Sequence, residues 1–148
     1  HLPLPATFWL STFLVLVSSV AVQWAHAAAR LGARASVRVG LLATLVLGLL
    51  FLVSQVFGFA ALLAWAEAEG ARERAMTTVH RLVFFMAGLH GLHLLGGLAC
   101  IALTVRAAWA EPPATQRPRL FHLAVYWHYL TLVWMAMFAL FVLTHGRA

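Results

Sequence analysis

Long apolar runs alternate along the chain with short segments that hold most of its charged residues. Four apolar runs cover residues 6–29, 39–66, 76–109 and 120–143. Each run is at least as long as the ~20 residues that an α-helix needs to cross ~30 Å of hydrocarbon. Lipid offers the backbone no hydrogen-bond partner, and the alternation typical of barrel strands is missing. Each run is therefore predicted to be a transmembrane helix.

Short connections join the runs, at residues 30–38, 67–74 and 111–119. Connections of this length place consecutive helices side by side and antiparallel. The pattern therefore predicts an all-α membrane protein, an antiparallel bundle of four transmembrane helices that forms one domain over residues 1–148.

The composition also indicates a membrane environment. Hydrophobic residues make up 64% of the chain and charged residues 9%, whereas soluble domains carry about 25% charged residues. The net charge of +6 comes from arginines that lie mostly in or near the connections. This placement is typical of contact with lipid headgroups and argues against a nucleic-acid partner. The single cysteine, Cys100, excludes an intrachain disulfide, and its apolar surroundings predict a buried structural residue.

The arginines also predict an orientation. Six of them lie in or beside the first and third connections, whereas four lie on the other side together with three of the four glutamates. Because positive residues favour the cytoplasmic side, both chain ends are expected to be periplasmic. Residues 1–26 lack a basic segment before their apolar run, so no signal peptide is expected there.

Polar side chains inside the apolar runs are costly and therefore indicate contacts or a site. None of them is a carboxylate, because all four glutamates lie outside the runs and the chain has no aspartate. Without an internal acid, a proton path or a carboxylate-bridged metal centre is not expected, and neither is catalytic chemistry in this chain. The polar residues are Gln23, His26, Gln55, His80, Arg81, His90, His93 and His128.

The histidines leave three interpretations open. His90 and His93 are three residues apart and so lie on one side of a helix, which favours hydrogen bonds to a neighbouring helix. A metal site with His128 as a third ligand is an alternative, although structural zinc needs four ligands. A haem b membrane anchor is another alternative, because two histidines on facing helices can ligate iron. The candidate pairs are His26 with His80 and His93 with His128.

Small residues recur at helical spacing in two of the runs. Gly40, Thr44 and Gly48 are four residues apart in the second run. Ala87 and Gly91 belong to a glycine-rich stretch, residues 87–97, in the third run. Such stripes let helix backbones approach closely, so both are predicted to pack against other helices of the bundle.

Large aromatic residues mark one side of the fourth run. Trp127 and Trp134 are seven residues apart, which places them on the same face of a helix. An aromatic ridge of this kind fits a protein partner or a lipid tail, and it fits core packing within the bundle equally well.

Several of these motifs occur in the order found in subunit III of the haem-copper (cytochrome c) oxidases. Residues 10–19, LSTFLVLVSS, with Trp24 and His26 resemble the family's L-N-T-x-x-L-L-x-S-S … W-A-H helix. Gln55 resembles the glutamine of the next family helix. Residues 84–93, FFMAGLHGLH, resemble the family's F-F-x-x-T-G-x-H-G-x-H helix.

The last run completes the resemblance. Trp127, His128 and Trp134 match the family's W-H-F-x-D-x-x-W helix. Two acids of the family are replaced, since this chain has Gly58 and Thr131 at their positions. The resemblance covers nearly the whole chain and corresponds to the last four helices of a seven-helix form. An accessory subunit of nitric oxide reductases belongs to the same superfamily and is an alternative.

The resemblance implies a non-catalytic subunit of a respiratory oxidase that couples oxygen reduction to proton pumping in the bacterial cytoplasmic (inner) membrane. It implies phospholipid binding and packing on subunit I, which would hold haem and copper, with subunit II and a larger supercomplex as further partners. A lipid-holding or assembly protein of such a supercomplex is a further alternative. No catalytic, metal or cofactor ligand is expected in this chain. The residues marked for structural, lipid or partner contacts are Trp24, His26, Gln55, His90, Gly91, His93, Trp127, His128 and Trp134.

Overall fold

The computed structural model describes residues 6–68 and 78–145, which contain helices and no strand. All of these helices are long and apolar enough to cross a membrane. The predicted fold class, an all-α membrane bundle of four transmembrane helices, is confirmed. The helices are α1 (Ala6–Arg30), α2 (Arg34–Ala68), α3 (Thr78–Ala110) and α4 (Pro113–His145).

The helices form a ring in chain order, because α1 and α3 each pack against both α2 and α4. The contact between α1 and α2 is the most extensive. Gly40 of α2 explains the close approach, since a Cβ built on it would lie 2.8 Å from the Cβ of Ala25 in α1. A missing side chain at this position therefore lets the two backbones lie against each other.

A tight turn at Gly32 reverses the chain between α1 and α2. Gly32 has a φ of 72°, a left-handed conformation that glycine adopts without strain. The amide of Ala33 donates to the carbonyl of Ala28 at 3.0 Å, and the amide of Gly32 donates to that of Ala29 at 3.3 Å. These are the paired bonds of a Schellman cap, so only residues 31–33 are needed to connect the helices.

The helices extend beyond the apolar runs. α2 already begins at Arg34 because arginine is a good helix former outside the hydrocarbon. α4 begins at Pro113 and contains Pro118, although both lie in the connection predicted at residues 111–119. Proline is favoured at the first helical position, where its missing N–H would have no partner. Part of the predicted connection at 67–74 lies outside the described residues.

The core is aromatic and centres on α4. Trp127 is fully buried, and Phe51 and Trp134 are 1% and 4% exposed. The rings of Phe51 and Trp134 meet edge to face, with centroids 5.3 Å apart. Gly48 of α2 makes room for the indole of Trp127, because a Cβ at Gly48 would lie 2.9 Å from that ring. The aromatic ridge of α4 therefore fills the bundle interior.

The glycine-rich stretch of α3 has a different environment from the glycine stripe of α2. A Cβ built on Gly88, Gly91 or Gly96 meets no atom within 4 Å. The prediction that residues 87–97 pack within the bundle is therefore wrong for these three glycines and holds for Gly97, which packs against α4. Cys100 on the same helix was predicted to be buried, and this prediction is wrong because the residue is exposed. Helical spacing shows which residues share a face, but not where that face points.

Candidate functional site

Two indole hydrogen bonds attach α4 to α1. Trp127 donates through Nε1 to Ser18 Oγ at 2.9 Å, and Trp134 donates through Nε1 to Thr12 Oγ1 at 3.1 Å. Both hydroxyls also donate to carbonyls of their own helix. All four side chains are buried, so these bonds satisfy polar groups that lipid would leave unpaired. They also fix the height of α4 relative to α1.

His128 joins the same two helices nearer the surface of the bundle. Its Nε2 lies 3.0 Å from Gln23 Oε1, and its Nδ1 contacts Ser19 Oγ. Because an amide oxygen only accepts, Nε2 donates to Gln23 and Nδ1 accepts the proton of the Ser19 hydroxyl. Both ring nitrogens of His128 are therefore engaged with α1.

Gln55 connects α2 with α1. Its Nε2 donates to Ser11 Oγ at 2.7 Å, and that hydroxyl donates to the carbonyl of Phe8. Gln55 is 8% exposed, and its Oε1 has no hydrogen-bond partner among the described residues. The amide therefore links two helices through its nitrogen, and its oxygen is left unpaired.

His90 lies inside an aromatic cluster. Its ring centroid is 6.3 Å from that of Phe51, edge to face, and 6.0 Å from that of Trp134. It is 6% exposed, and neither ring nitrogen has a hydrogen-bond partner in the described part of the chain. The predicted hydrogen bond from His90 to a neighbouring helix is therefore wrong, because the ring packs against aromatic faces instead.

His93 turns out of the bundle although it is only three residues from His90. Its Nδ1 lies 2.8 Å from the carbonyl of Leu89 in the same helix, and its ring is exposed. The link to α4 at this position is made by the backbone, since the hydroxyl of Tyr126 donates to the carbonyl of His93 at 3.0 Å. The predicted interhelical bond through the His93 ring is therefore wrong within the described residues, where the ring bonds only to its own helix.

The described histidines His90, His93 and His128 are therefore not brought together around one metal ion. His93 is on the surface, and His128 is engaged with α1. Among the described residues there is no group of three or more His, Cys, Asp and Glu side chains placed to hold a metal ion. In the other candidate haem pair, His26 is half-buried, with its ring 5.8 Å from that of Phe121. The side chain of His80 lies outside the described residues.

A cavity of about 470 Å³ lies between α2 and α3, beside His90. Gln55 and Phe59 of α2 line one side of it, and Gly88 and Gly91 of α3 line the other. Apart from Gln55 and His90, the residues around it are apolar. Gly88 and Gly91 of α3 therefore border this cavity, and a Cβ on either would meet no atom of the described residues within 4 Å.

Trp24 lies on the outside of the bundle, where 48% of its side chain is exposed. Together with Ser19, Gln23 and His128 it lines a groove at the surface between α1 and α4. The indole therefore offers an apolar contact beside the hydrogen bonds of His128.

Two arginines bind helix C-termini at the end of the bundle where α1 connects to α2 and α3 connects to α4. Arg38 Nε donates to the carbonyl of Ala108 at 3.0 Å near the end of α3. Arg117 donates to the carbonyls of Ala29 and Arg30, the last residues of α1, at 3.2 and 3.0 Å. Cations stabilise helix C-termini, where carbonyls lack intrahelical partners. In the sequence, these arginines indicate the orientation of the bundle but do not predict this contact with helix ends.

The hydroxyl residues of α1 were also missed as candidates. Three of these hydroxyls accept hydrogen bonds from side chains of α2 or α4, and the fourth donates one to α4. They occur as two adjacent pairs that are seven residues apart, so the pairs lie on one helix face. That spacing was the available signal, and it lies within the LSTFLVLVSS motif. The residues are Ser11, Thr12, Ser18 and Ser19.

The described structure defines a multi-pass membrane protein in which internal hydroxyl, amide and indole groups join the helices. The family model for cytochrome c oxidase subunit III matches residues 2–145. The chain therefore belongs to the cytochrome c oxidase subunit III family.

Curated relatives agree with this assignment. The chain is 30% identical over 131 residues to cytochrome c oxidase subunit 3 of Lumbricus terrestris, covering 87% of this chain and 47% of the relative. It is 29% identical over 129 residues to the probable cytochrome c oxidase subunit 3 of Mycobacterium tuberculosis, covering 86% of this chain and 61% of the relative. It is 29% identical over 130 residues to the cytochrome bo(3) ubiquinol oxidase subunit 3 of Pseudomonas aeruginosa, covering 87% and 60%. The chain thus spans between 47% and 61% of these relatives' length.

Proposed function

We propose that the chain is a non-catalytic subunit of a haem-copper respiratory terminal oxidase. The observation that carries this proposal is the family match over residues 2–145. Relatives with similar identity are named as subunits of a cytochrome c oxidase and of a bo(3) ubiquinol oxidase. Both names describe subunit 3 of an oxidase, so the proposal does not depend on which electron donor feeds the complex.

The polar interior of the bundle supports a bracing role. The described polar side chains in the core are hydroxyls, amides, indoles and an imidazole, and most of them bond to another helix or to their own backbone. None of the four glutamates of the sequence lies within the membrane spans. A proton relay through a membrane protein normally uses internal acids. In the proposed complex, proton pumping and the haem and copper centres belong to subunit I.

The proposed assembly places this chain against subunit I, with subunit II and a larger respiratory supercomplex as further partners. Large apolar side chains are exposed on every helix, among them Phe13, Phe57, Leu92 and Leu132. In a membrane such side chains contact lipid or the helices of another subunit. The bundle therefore has ample surface for both.

Phospholipid is the second proposed partner. The cavity between α2 and α3 has an apolar lining and a wall of glycines, which suits an acyl chain lying along α3. A headgroup would remain at the membrane surface, beyond the end of the cavity near Leu63 and Phe84. Nothing in this arrangement requires a redox group in the chain itself.

The proposed location is the bacterial cytoplasmic membrane, with the C-terminus on the periplasmic side. The arginine-rich end of the bundle would then face the cytoplasm. Two of those arginines, Arg38 and Arg117, bind helix C-termini there. Arg30, Arg34 and Arg106 are exposed, and they remain available for anionic headgroups.

The proposal is tested by purifying the tagged chain from its native membrane in a mild detergent. We expect subunits with haem and copper to co-purify in a fixed ratio, and mass spectrometry to identify them as a haem-copper oxidase. An unrelated multi-pass membrane protein with the same tag is the control. Recovery of the chain without any haem-copper subunit, under conditions that keep other respiratory complexes intact, would refute the proposal.

A further inference from the structure

The outer face between α3 and α4 carries polar side chains that are exposed. His93 of α3 is exposed, and Tyr129 of α4 is 59% exposed. Both line a cavity of about 230 Å³ at the junction of the two helices. The remaining lining residues are mainly apolar, among them Leu89, Val133 and Met137. We call this surface the α3–α4 face.

Both polar residues lie deep in the membrane. The apolar span of α3 runs from Phe84 to Ala110, so His93 is about 6 Å from its midpoint at ~1.5 Å per residue. The apolar span of α4 runs from Pro113 to Leu143, and Tyr129 is adjacent to its midpoint. The hydrocarbon extends ~15 Å on either side of the bilayer centre, so neither side chain is at headgroup depth.

The hydrogen bonds among the described residues leave polar atoms of His93 and Tyr129 without partners at this face. Nδ1 of His93 lies 2.8 Å from the carbonyl of Leu89. A carbonyl only accepts, so in the neutral ring the proton is on Nδ1, and Nε2 is an acceptor with no hydrogen-bond partner among the described residues. The hydroxyl of Tyr129 makes no hydrogen bond to the described residues, and it can both donate and accept.

Lipid does not supply hydrogen-bond partners at this depth. Acyl chains have no hydrogen-bonding groups, and the ester and headgroup oxygens lie nearer the membrane surface. Ionisable side chains within membrane spans are costly, and almost all of them face protein or pair with another polar group. A protein helix, in contrast, presents hydroxyl, amide or indole groups at any depth.

We propose that the α3–α4 face is the docking surface for a transmembrane helix of a partner subunit, which donates a hydrogen bond to Nε2 of His93. This inference rests on the proposed function, because it requires a partner in the membrane. Leu89, Val133 and Met137 supply the apolar contact around the polar pair, and the flexible Met side chain adapts to the partner's surface.

The first test places a photo-crosslinking residue in the intact complex. p-Benzoylphenylalanine replaces Tyr129 on the α3–α4 face, and in a matched control it replaces Phe13, which is 64% exposed on α1. We expect position 129 to crosslink to a subunit of the co-purified haem-copper complex, and position 13 to crosslink mainly to lipid. Crosslinking of position 129 to lipid alone, to a second copy of this chain, or no more strongly than position 13 would overturn the inference.

The second test separates the hydrogen bond from packing. His93→Leu removes the acceptor, whereas His93→Gln keeps an amide oxygen that can accept. We expect His93→Leu to lower retention of the chain in the complex about threefold during a detergent titration, the size of an average interhelical hydrogen bond. His93→Gln is expected to restore most of the retention. Equal retention of the two variants would contradict the inference.

These outcomes distinguish the inference from the proposed function. If the chain co-purifies with haem and copper but position 129 captures only lipid, the oxidase role stands and the docking surface is wrong. If the chain never co-purifies with a haem-copper subunit, both are wrong.

Discussion

Trp127 of α4 donates its indole N–H to the hydroxyl of Ser18 in α1 at 2.9 Å, at a point where both side chains are fully buried. The same indole fills the space left by Gly48 of α2 and lies against Gly97 of α3. One side chain thus contacts all three other helices. The position of this ring therefore couples the four helices.

Removing the acceptor at Ser18 should destabilise the bundle. Ser18→Ala leaves the buried indole N–H of Trp127 without a partner, and we expect a loss of about 1 kcal/mol in the free energy of unfolding. Ser54→Ala is the matched control, because within the described part of the chain Ser54 bonds only to the carbonyl of Phe51 in its own helix. Unfolding in mixed micelles with increasing SDS measures both. Equal loss in the two variants would show that the indole bond does not contribute.

The missing side chain at Gly48 should be required for the packing of Trp127 and Leu98. A Cβ there would lie 2.8 Å from Leu98 and 2.9 Å from the ring of Trp127, so Gly48→Ala should destabilise the chain by about 1–3 kcal/mol through overpacking. Gly96→Ala is the control, since a Cβ at Gly96 meets no atom within 4 Å. The control should change the unfolding free energy by less than ~0.5 kcal/mol. The same SDS titration applies, and a tolerated Gly48→Ala would argue against this packing.

His128 should matter for stability more than His122, although both are histidines of α4. His128→Ala removes two hydrogen bonds to α1, for which we expect a loss of about 1 kcal/mol. His122 is exposed, and its described contacts are the carbonyl of Pro118 and the ring of Phe121, both in its own helix. His122→Ala should therefore be close to neutral. Thermal unfolding of the purified variants in detergent compares them, and a larger effect at His122 would contradict the described contacts.

Filling the α2–α3 cavity should reduce lipid binding. Gly91→Leu places a side chain into the cavity, whereas Gly96→Leu adds the same side chain on α3 at an open position that is not part of this cavity's lining. We expect fewer tightly bound phospholipids per chain in Gly91→Leu, measured by native mass spectrometry of the purified chain. The Gly96→Leu variant should retain the original number. Unchanged lipid in both variants would show that this cavity is not a lipid site.

The four helices could be predicted because hydrocarbon imposes a simple rule on length and polarity. Their ends could not be predicted equally well, because the rule stops applying at the membrane surface. There, Arg34 and Pro113 continue the helices by ordinary helix preferences, the first as a good helix former and the second at a helix start.

The contacts inside the bundle could not be predicted from the sequence as well as the helices could. Serine and threonine are tolerated at many positions in a membrane helix because their hydroxyls bond to their own backbone. The seven-residue spacing of the hydroxyls places them on one helix face, but it does not show that Ser18 and Thr12 also accept from indoles of α4. His90 is buried and His93 is exposed because of how α3 is rotated about its axis. Their three-residue spacing does not determine that rotation.

The central claim is that this chain braces a redox complex without holding a redox centre, and one difference spectrum tests it most directly. The tagged chain is purified with its complex, a reduced-minus-oxidised absorption spectrum is recorded, and the chain is then dissociated and measured alone. The account predicts haem bands in the complex and a flat spectrum for the isolated chain. Haem bands that stay with the isolated chain, and that disappear in a His93→Ala or His128→Ala variant, would contradict it.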